Sequence, residues 1–306
     1  MDAPNQPRST EGDASPDRGN PDGAAPAPPA ALAARYRDVM DRVAAAARAA
    51  GRRETDVVVI AVSKYTELDD IRRLADLGHR DFGESQVQQL VQRADMLEHQ
   101  LTRRREFPEL DPAIGPGGLY RDAADDDKRP DRPVRWHMIG HLQRNKVKKC
   151  LGAARLIHSV DSLRLVDEIH SVAFKRDVEV ELLVQVNVTG EQQKYGCAPA
   201  AARHLCEQID SLVHLKVRGI MAMGPASQDD RDTRLAFDRA RELYEEIVKL
   251  KLCEGRFNIL SMGMSGDFET AIAHGANMVR VGSAIFGSRD DHAPDDDEHD
   301  DATSAD

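Results

Sequence analysis

The sequence has few aromatic residues, few cysteines and no long apolar run. Phe, Trp and Tyr make up 4% of the 306 residues, so stacking platforms for single-stranded nucleic acid are not expected. The absence of a run of about 18 apolar residues excludes a membrane-spanning helix, and the N-terminus lacks the pattern of a signal peptide. The four cysteines show no CxxC spacing, which argues against a zinc site or a disulfide framework. These absences predict a cytoplasmic protein with neither nucleic acid nor membrane as a partner.

The charge is concentrated at the two ends of the chain. Of the formal net charge of -11, residues 289–306 contribute -8 and residues 1–30 contribute -3, so residues 31–288 are neutral overall. Residues 1–30 are rich in proline and residues 289–306 in aspartate, and both are predicted to be disordered tails. The acidic tail is interpreted as solubilising, with docking to a basic partner as the alternative. The proline-rich stretch 103–133 is predicted to be a surface insertion.

Strand-like and helix-like patterns alternate between these segments. Helical periodicity is clear where Leu68, Ile71, Leu74 and Ala75 share one face and Gly78 follows. Eight strand-like runs occur, namely VVVIAVSK, RDFGE, RWHMIGH, RLIHSVD, VELLVQVN, LKVRGIMAMG, FNILSMGM and MVRVGSAIFG. Strict alternation over residues 31–288 predicts an α/β fold, a single closed (β/α)8 TIM barrel. An open doubly wound sheet is the alternative, but the glycine-rich phosphate loop expected after its first strand is missing.

Lys64 ends the first predicted strand, which raises the question of why a core strand ends in an ammonium group. Alternation places Ile60, Val62 and Lys64 on one side of that strand, and active sites of this barrel lie at the carboxyl ends of the strands. An inward Lys64, shielded by its neighbours at the mouth, would favour the neutral amine that attacks a carbonyl. The alternative is a lysine that merely marks the exit of the strand into solvent.

The last two predicted strands are followed by small residues that suit a phosphate site. SMGMSGDFETAI predicts a helix that begins near Ser265 or Gly266, where backbone N–H groups can bind phosphate. MVRVGSAIFG places Arg280 and Gly282 on one strand face and contains a second pair of small residues, Gly282 and Ser283. This fold often builds a phosphate site from these two loops, although tight turns also explain the glycines. Because strand eight lies beside strand one in a closed barrel, Lys64 and these residues predict a ligand with an aldehyde and a phosphate.

Several motifs, taken together, resemble a known family. AVSKYTELDDI, GHRDFGESQVQQL, WHMIGHLQRNKVKK, IHSVDSLRLVDEI, VQVNVTGEQQKYG, VRGIMAMGP and LSMGMSGDFETAIAHGANMVRVGSAIFG are similar, in this order, to segments of the pyridoxal phosphate homeostasis proteins, also known as proline synthetase co-transcribed homologues. The resemblance covers about residues 31–288, apart from the insertion. It implies a barrel of the alanine racemase N-terminal kind, which is the fold-type III class of pyridoxal phosphate proteins.

The resemblance also implies a ligand and a set of residues that bind it. Lys64 is expected to hold pyridoxal 5'-phosphate as a Schiff base, and Arg280 to face the pyridine nitrogen. A cation there disfavours protonation of the nitrogen and weakens the ring as an electron sink. The family carries and buffers this cofactor within vitamin B6 homeostasis, with pyridoxal phosphate-dependent apoenzymes as candidate partners and with no assigned catalytic or metal-binding residue. The phosphate is expected on Met264, Ser265, Gly282 and Ser283.

Two positions depart from the family pattern. The family has an asparagine near the cofactor ring where this chain has Ser85, in GESQVQQ. Serine is shorter and offers one hydroxyl in place of an amide, so a looser ring pocket with a bridging water is predicted. Tyr65 replaces the small or polar residue expected after the lysine.

Amino-acid racemisation by a fold-type III enzyme is the alternative function. It needs two bases on opposite faces of the α-carbon, and alanine racemases take the second, a tyrosine, from a β domain of the partner subunit. Residues 288–306 show no β pattern, so a monomer is expected, with Tyr65 left as a candidate second base.

Two other groups of polar residues carry less specific signals. His137 and His141 are four residues apart, which suits zinc on a helix, but no third ligand accompanies them. Histidines hydrogen-bonded around the barrel mouth are the favoured interpretation. Asn187, Thr189, Gly190 and Glu191, which follow the fifth strand, are either pocket residues or a plain polar loop.

Overall fold

The computed structural model describes residues 29–105, 133–227 and 229–287, and within them eight parallel strands form one closed barrel. Each strand pairs with the next in chain order, and the eighth pairs with the first. The predicted (β/α)8 barrel is therefore confirmed and the open sheet is wrong. The strands are β1 (Val58–Val62), β2 (Asp81–Glu84), β3 (Arg135–Met138), β4 (Ala154–Val160), β5 (Val180–Val186), β6 (Leu215–Ala222), β7 (Ile259–Ser261) and β8 (Met278–Val281).

Helices surround the barrel, and in the described part of the chain one helix also precedes the first strand. They are α1 (Pro29–Ala49), α2 (Leu68–Asp76), α3 (Val87–Arg105), α4 (Val147–Cys150), α5 (Leu163–Arg176), α6 (Pro199–Asp210), α7 (Asp230–Val248), α8 (Phe268–Ala273) and α9 (Ser283–Phe286). As predicted, Ile71, Leu74 and Ala75 are buried on one face of α2, and Gly78 follows that helix with a positive φ of 94°.

Apart from a few residues at their edges, the predicted tails 1–30 and 289–306 and the predicted insertion 103–133 lie outside the described residues. Among the helices that the structure describes, none combines the length and apolar character needed to cross a bilayer.

The barrel interior is apolar at its centre and charged at its amino-terminal end. The central side chains are Val58, Ile60, Leu156, Leu183, Met221, Ile259 and Met278. At the amino-terminal end, Arg135 binds Asp81 through two parallel hydrogen bonds of 2.7 and 2.5 Å. Glu181 pairs there with Arg218 and, at 2.6 Å, with Arg155. These charges are tolerated because each buried carboxylate has a guanidinium partner.

Helix α1 fixes the part of the barrel where the chain closes. It is rich in alanine, which favours a helix, and its arginines donate to carbonyl groups of the last elements. Arg35 donates to Ile285 O at 2.9 Å, and Arg52 donates to Ala276 O at 2.8 Å. Arg42 pairs with Glu269 on α8. These contacts hold α8 and α9, and therefore the loops before them, against the barrel.

A buried histidine links α1 to β2. One ring nitrogen of His79, Nε2, lies 2.7 Å from Asp81 O, and the other, Nδ1, lies 3.4 Å from the hydroxyl of Tyr36. Burial lowers the pKa of His79 from 6.5 to about 4, and the nearby Asp81 only partly opposes this effect. The folded protein therefore holds a neutral imidazole that the unfolded chain would protonate at mildly acidic pH.

The free energy of unfolding is expected to fall as the pH is lowered from about 6.5 to about 4. The pKa of His79 is depressed in the folded state, so its contribution to stability is complete above the unfolded value and is lost as the pH falls through this window, by about 1.4 kcal/mol per pH unit. Urea unfolding between about pH 7 and pH 5 measures the slope. His79→Gln should reduce that slope, and the exposed control His99→Gln should not. Equal slopes in the native chain and His79→Gln would contradict the expectation.

Candidate functional site

Lys64 lies just beyond the carboxyl end of β1, two residues after the strand ends at Val62. Its side chain is exposed, and Nζ lies 4.4 Å from the centroid of the Tyr65 ring. The expectation that neighbouring residues shield the amine is wrong for this structure, because the described contact is with one aromatic face. Lys64 is therefore an accessible primary amine at the rim of the barrel mouth.

The backbone after Lys64 turns through an unusual conformation. Tyr65 has a φ of 62°, in the left-handed region that bulky residues rarely adopt. Such strain persists only where the surroundings impose it, and it is concentrated at functional sites. The turn thus has a cost that the contacts around it must offset.

Those contacts come from Arg93 on α3 and Glu84 at the end of β2. Arg93 donates to Ser63 O, to Thr66 O at 2.6 Å and to the carboxylate of Glu84. The Ser63 hydroxyl donates to the same carboxylate at 2.5 Å. Glu84 is completely buried, and its Oε2 has no hydrogen-bond partner among the described residues. Arg93 is therefore both the counter-ion of Glu84 and the clamp on the turn that carries Lys64. No sequence motif predicts a role for either residue, although a carboxylate at the end of a buried strand is a usable signal.

Arg280 is the buried cation of the mouth. It lies on β8 beside Ile60 of β1 and is 4% exposed. Its Nη1 donates to the hydroxyl of Ser261 at 2.7 Å, and its Nη2 donates to Ala222 O at 2.9 Å. Burial lowers the pKa of Arg280 to about 10, against the opposing attraction of Asp267. The guanidinium consequently stays charged at neutral pH inside the barrel.

The loops after β7 and β8 are joined by one hydroxyl. Ser265 Oγ accepts hydrogen bonds from the backbone N–H groups of Gly282, at 3.1 Å, and Ala284, at 3.3 Å. The backbone N–H groups of Ser265 and Gly266 have no acceptor among the described residues. A Cβ on Gly282 would lie 3.3 Å from Val62 Cβ, so the loop approaches β1 closely. Free N–H donors and a small-residue loop fit an oxyanion such as phosphate.

The detail of these loops differs from the prediction. The helix expected to begin near Ser265 begins at Phe268. Met264 is exposed, and its N–H donates to the carboxylate of Asp267 at 2.5 Å. Burial raises the pKa of Asp267, while that N–H and the charge of Arg280 oppose the rise. Sequence reasoning missed Asp267, which contributes a partly buried carboxylate to the same loop.

Ser85 lies directly after β2, on the other side of β1 from β8, and is half-buried. A Cβ on Gly140, which follows β3, would lie 2.2 Å from the carbonyl oxygen of Ser85. Only glycine therefore allows the β3 loop to pack on the Ser85 backbone, and this role of Gly140 was not predicted.

All seven predicted site residues lie at one end of the barrel, on the adjacent strands β7, β8, β1 and β2 or on the loops that follow them. Arg280 lies deepest, and Lys64, Met264 and Ser283 lie at the exposed rim. The arrangement thus provides an amine, a buried cation and backbone donors around one opening.

The other polar residues have different positions from those expected. His137 lies inside the barrel and not at the mouth, whereas His141 lies at the rim and stacks on Tyr195 with ring centroids 4.2 Å apart. No group of His, Cys, Asp or Glu side chains in the described ranges suits a metal ion. Asn187 accepts hydrogen bonds from Thr189 Oγ1 and the Gly190 N–H, so the loop after β5 is closed largely upon itself.

The sequence and the fold match known proteins over nearly the whole described barrel. Residues 30–290 match the family model described as alanine racemase, N-terminal domain. The chain is 33% identical over 255 residues to a pyridoxal phosphate homeostasis protein of Aquifex aeolicus, and the match covers 82% of this chain and 95% of that protein.

Solved structures give the same result. An unknown protein from Bifidobacterium adolescentis has a TM-score of 0.73 at 32% identity, covering 84% of this chain and 95% of that one. PipY of Synechococcus elongatus, solved with pyridoxal phosphate bound, has a TM-score of 0.59 at 29% identity, covering 76% and 93% of the two chains. An alanine racemase of Clostridium difficile, with a TM-score of 0.58 and 12% identity over 88% of this chain and 57% of its own, shares the fold alone.

Arg93→Met is expected to lower the free energy of unfolding by about 3–5 kcal/mol, because it leaves the carboxylate of Glu84 buried without a counter-ion. Urea unfolding of the single variants and of the double variant Arg93→Met/Glu84→Gln measures the coupling. The double variant should recover part of the loss, since it removes the uncompensated charge. If the loss of stability in the double variant equals the sum of the losses in the two single variants, Arg93 and Glu84 do not act as a unit.

Proposed function

The chain belongs to the pyridoxal phosphate homeostasis protein family, and on that premise we propose that it binds pyridoxal 5'-phosphate at the barrel mouth through a Schiff base on Lys64. It would serve as a monomeric carrier and buffer of the cofactor, and not as a catalyst. The observation that supports this proposal most directly is the grouping of an accessible amine, a buried cation and free backbone donors on adjacent strands.

Each of these features matches one part of the cofactor. Pyridoxal phosphate supplies, when bound, a reactive aldehyde on an electron-withdrawing ring. Lys64 offers the primary amine for the aldehyde, and Ser265, Gly266, Gly282 and Ser283 provide the loops for the phosphate. Ser85, on the far side of β1, would contact the ring. Met264 lies in the same loop after β7, but its own N–H already donates to Asp267.

Arg280 gives the site a bias against catalysis. A guanidinium donates hydrogen bonds but accepts none, so beside the pyridine nitrogen it favours the unprotonated form. An unprotonated ring withdraws less electron density from the bound amine carbon. The site would hold the cofactor firmly while providing little of the activation that amino-acid chemistry needs.

The exposure of Lys64 supports delivery to other proteins. A carrier must release its cargo, and an amine at the rim is accessible to competing amines from solvent or from an apoenzyme. Pyridoxal phosphate-dependent apoenzymes are therefore the proposed recipients, and the balance of amino acids and keto acids would depend on this supply.

Lys64→Ala should abolish covalent retention of pyridoxal phosphate without unfolding the barrel, because the side chain is exposed and outside the packed layers. The measurement is the visible absorption of protein mixed with pyridoxal phosphate and then gel-filtered, followed by borohydride reduction and peptide mapping. Lys175→Ala is the matched control and should retain the native band. It removes an exposed lysine on α5, which is distant from Lys64 in the sequence. Equal trapping of the cofactor by Lys64→Ala would contradict the assignment.

Racemisation remains the alternative, and the structure places Tyr65 next to Lys64 on one turn. Two bases on opposite faces of a substrate are not expected from neighbouring residues of one loop. The loaded protein should therefore exchange the α-proton of alanine no faster than Lys64→Ala mixed with the same amount of free pyridoxal phosphate. Proton NMR in deuterated water measures the exchange, and a Lys64-dependent rate accompanied by loss of the optical activity of L-alanine would establish the racemase instead.

A further inference from the structure

A continuous row of buried polar side chains crosses the barrel from β2 to β8. Asp81 Oδ1 lies 3.1 Å from Nε2 of His137, and Nδ1 of His137 lies 3.1 Å from Nε2 of His158. Nδ1 of His158 then lies 3.2 Å from the hydroxyl of Ser261, which accepts the hydrogen bond from Arg280. The five residues come from five strands, and the two histidines and the serine have no exposed surface. The row therefore connects the charged amino-terminal end of the barrel interior to Arg280 at the mouth.

The charge at one end of the row fixes the direction of its first hydrogen bond. Burial by itself raises the pKa of Asp81, but hydrogen bonds from Arg135 and His137 outweigh burial and hold the pKa well below its ordinary value. An ionised carboxylate only accepts hydrogen bonds. His137 must therefore donate through Nε2–H.

The directions of the remaining hydrogen bonds follow from the same count of protons and lone pairs. Among the described residues, the hydroxyl proton of Ser261 has one recorded acceptor, Nδ1 of His158. Because that nitrogen accepts, a neutral His158 donates through Nε2–H to Nδ1 of His137, which leaves His137 with its single proton on Nε2. Burial, reinforced by the charge of Arg280, holds the pKa of His158 well below its ordinary value, so this ring is neutral and its Nδ1 can accept. The hydroxyl proton of Ser261 then goes to His158, and its oxygen lone pairs are left for Arg280. In every hydrogen bond of the row, the donor lies on the side of Arg280 and the acceptor on the side of Asp81.

The opposite direction is disfavoured by the groups at both ends. It would require an additional proton on His137, and it would make the Ser261 oxygen accept hydrogen bonds from both His158 and Arg280. The Ser261 hydroxyl proton would then need another acceptor, and none is recorded for it among the described residues. A buried hydroxyl without an acceptor costs about 1–3 kcal/mol.

We propose that Asp81, His137, His158 and Ser261 are positioning residues that form a one-directional hydrogen-bond chain and hold the Arg280 guanidinium at the barrel mouth. The cofactor role of Arg280 rests on the function proposed above, whereas the chain itself is a property of the protein without ligand. Because the Ser261 proton is committed to His158, Ser261 presents only lone pairs to Arg280. The chain thereby makes the orientation of a residue at the mouth depend on Asp81, at the other end of the barrel.

The tautomers of the two histidines test the chain directly, without cofactor. In the ligand-free protein at neutral pH, nitrogen-15 NMR should show protonated Nε2 and unprotonated Nδ1 in both His137 and His158, because the two types of ring nitrogen resonate in well separated ranges. His137→Gln and His158→Gln assign the signals. Protonated Nδ1 in either ring, or a doubly protonated ring, would overturn the proposed direction.

Ser261→Ala tests the link to Arg280, and Ser159→Ala is its matched control. Both serines are completely buried, but the hydroxyl of Ser159 has no hydrogen-bond partner in the described residues. Ser261→Ala should shift the nitrogen-15 signal of the unprotonated Nδ1 of His158, because that nitrogen loses its hydrogen-bond donor, and should weaken binding of pyridoxal phosphate by about tenfold, the value of one hydrogen bond to a charged group. Ser159→Ala should change neither property, and Ser261→Thr, which keeps the hydroxyl, should restore the native signal.

The two proposals fail in different ways. If Ser261→Ala leaves the nitrogen-15 signal of His158 Nδ1 unchanged, the chain does not pass through Ser261 and the proposal is wrong, whatever the cofactor does. If the native protein shows the predicted tautomers but binds no pyridoxal phosphate, the proposed function fails while the hydrogen-bond chain stands. Unchanged cofactor affinity in Ser261→Ala would remove the positioning role from Ser261.

Discussion

The pairing of β8 with β1 is the constraint on which the candidate site depends. It aligns Ile60 with Arg280 and brings Gly282 against Val62. The first and last strands of the barrel are more than 200 residues apart in the chain, so no local preference could bring Lys64 and Arg280 together. Closure of the barrel does so, and α1 strengthens it by binding the carbonyl groups of the last elements.

Strand β2 supports the site through two carboxylates that lie on opposite faces. Side chains three residues apart in a strand point to opposite sides, and accordingly Asp81 points into the barrel while Glu84 points towards α3. Asp81 ends the row of hydrogen bonds that reaches Arg280, and Glu84 binds the arginine that clamps the turn of Lys64. One short strand therefore helps to position both the Lys64 amine and the Arg280 guanidinium. Each carboxylate is buried, so its charge must be compensated by specific ion-pair and hydrogen-bond partners.

The sequence predicted the barrel well, because strict alternation of strands and helices leaves few alternatives. It also predicted which loops form the mouth, since in this fold the carboxyl ends of the strands share one face. It did not predict the surroundings of Lys64. The clamp by Arg93 joins residues of β1, β2 and α3 that have no fixed spacing, and the left-handed Tyr65 has no signature in a chain where glycine is the usual residue for such a turn. His137 was placed at the mouth because its strand was expected to extend further than it does.

The different depths of Arg280 and Lys64 would allow the proposed site both to hold and to release its ligand. Arg280 is buried, and its hydrogen bonds to Ser261 and Ala222 hold it in one orientation before any ligand arrives, so binding to it requires little rearrangement. Lys64 lies at the rim on an exposed side chain, where solvent amines can reach any bond that it makes. A site with both reacting groups buried would favour catalysis on an enclosed substrate, because water exclusion strengthens electrostatic effects. In the proposed role, the noncovalent anchor would be deep and the covalent anchor accessible, a combination that would favour storage and transfer.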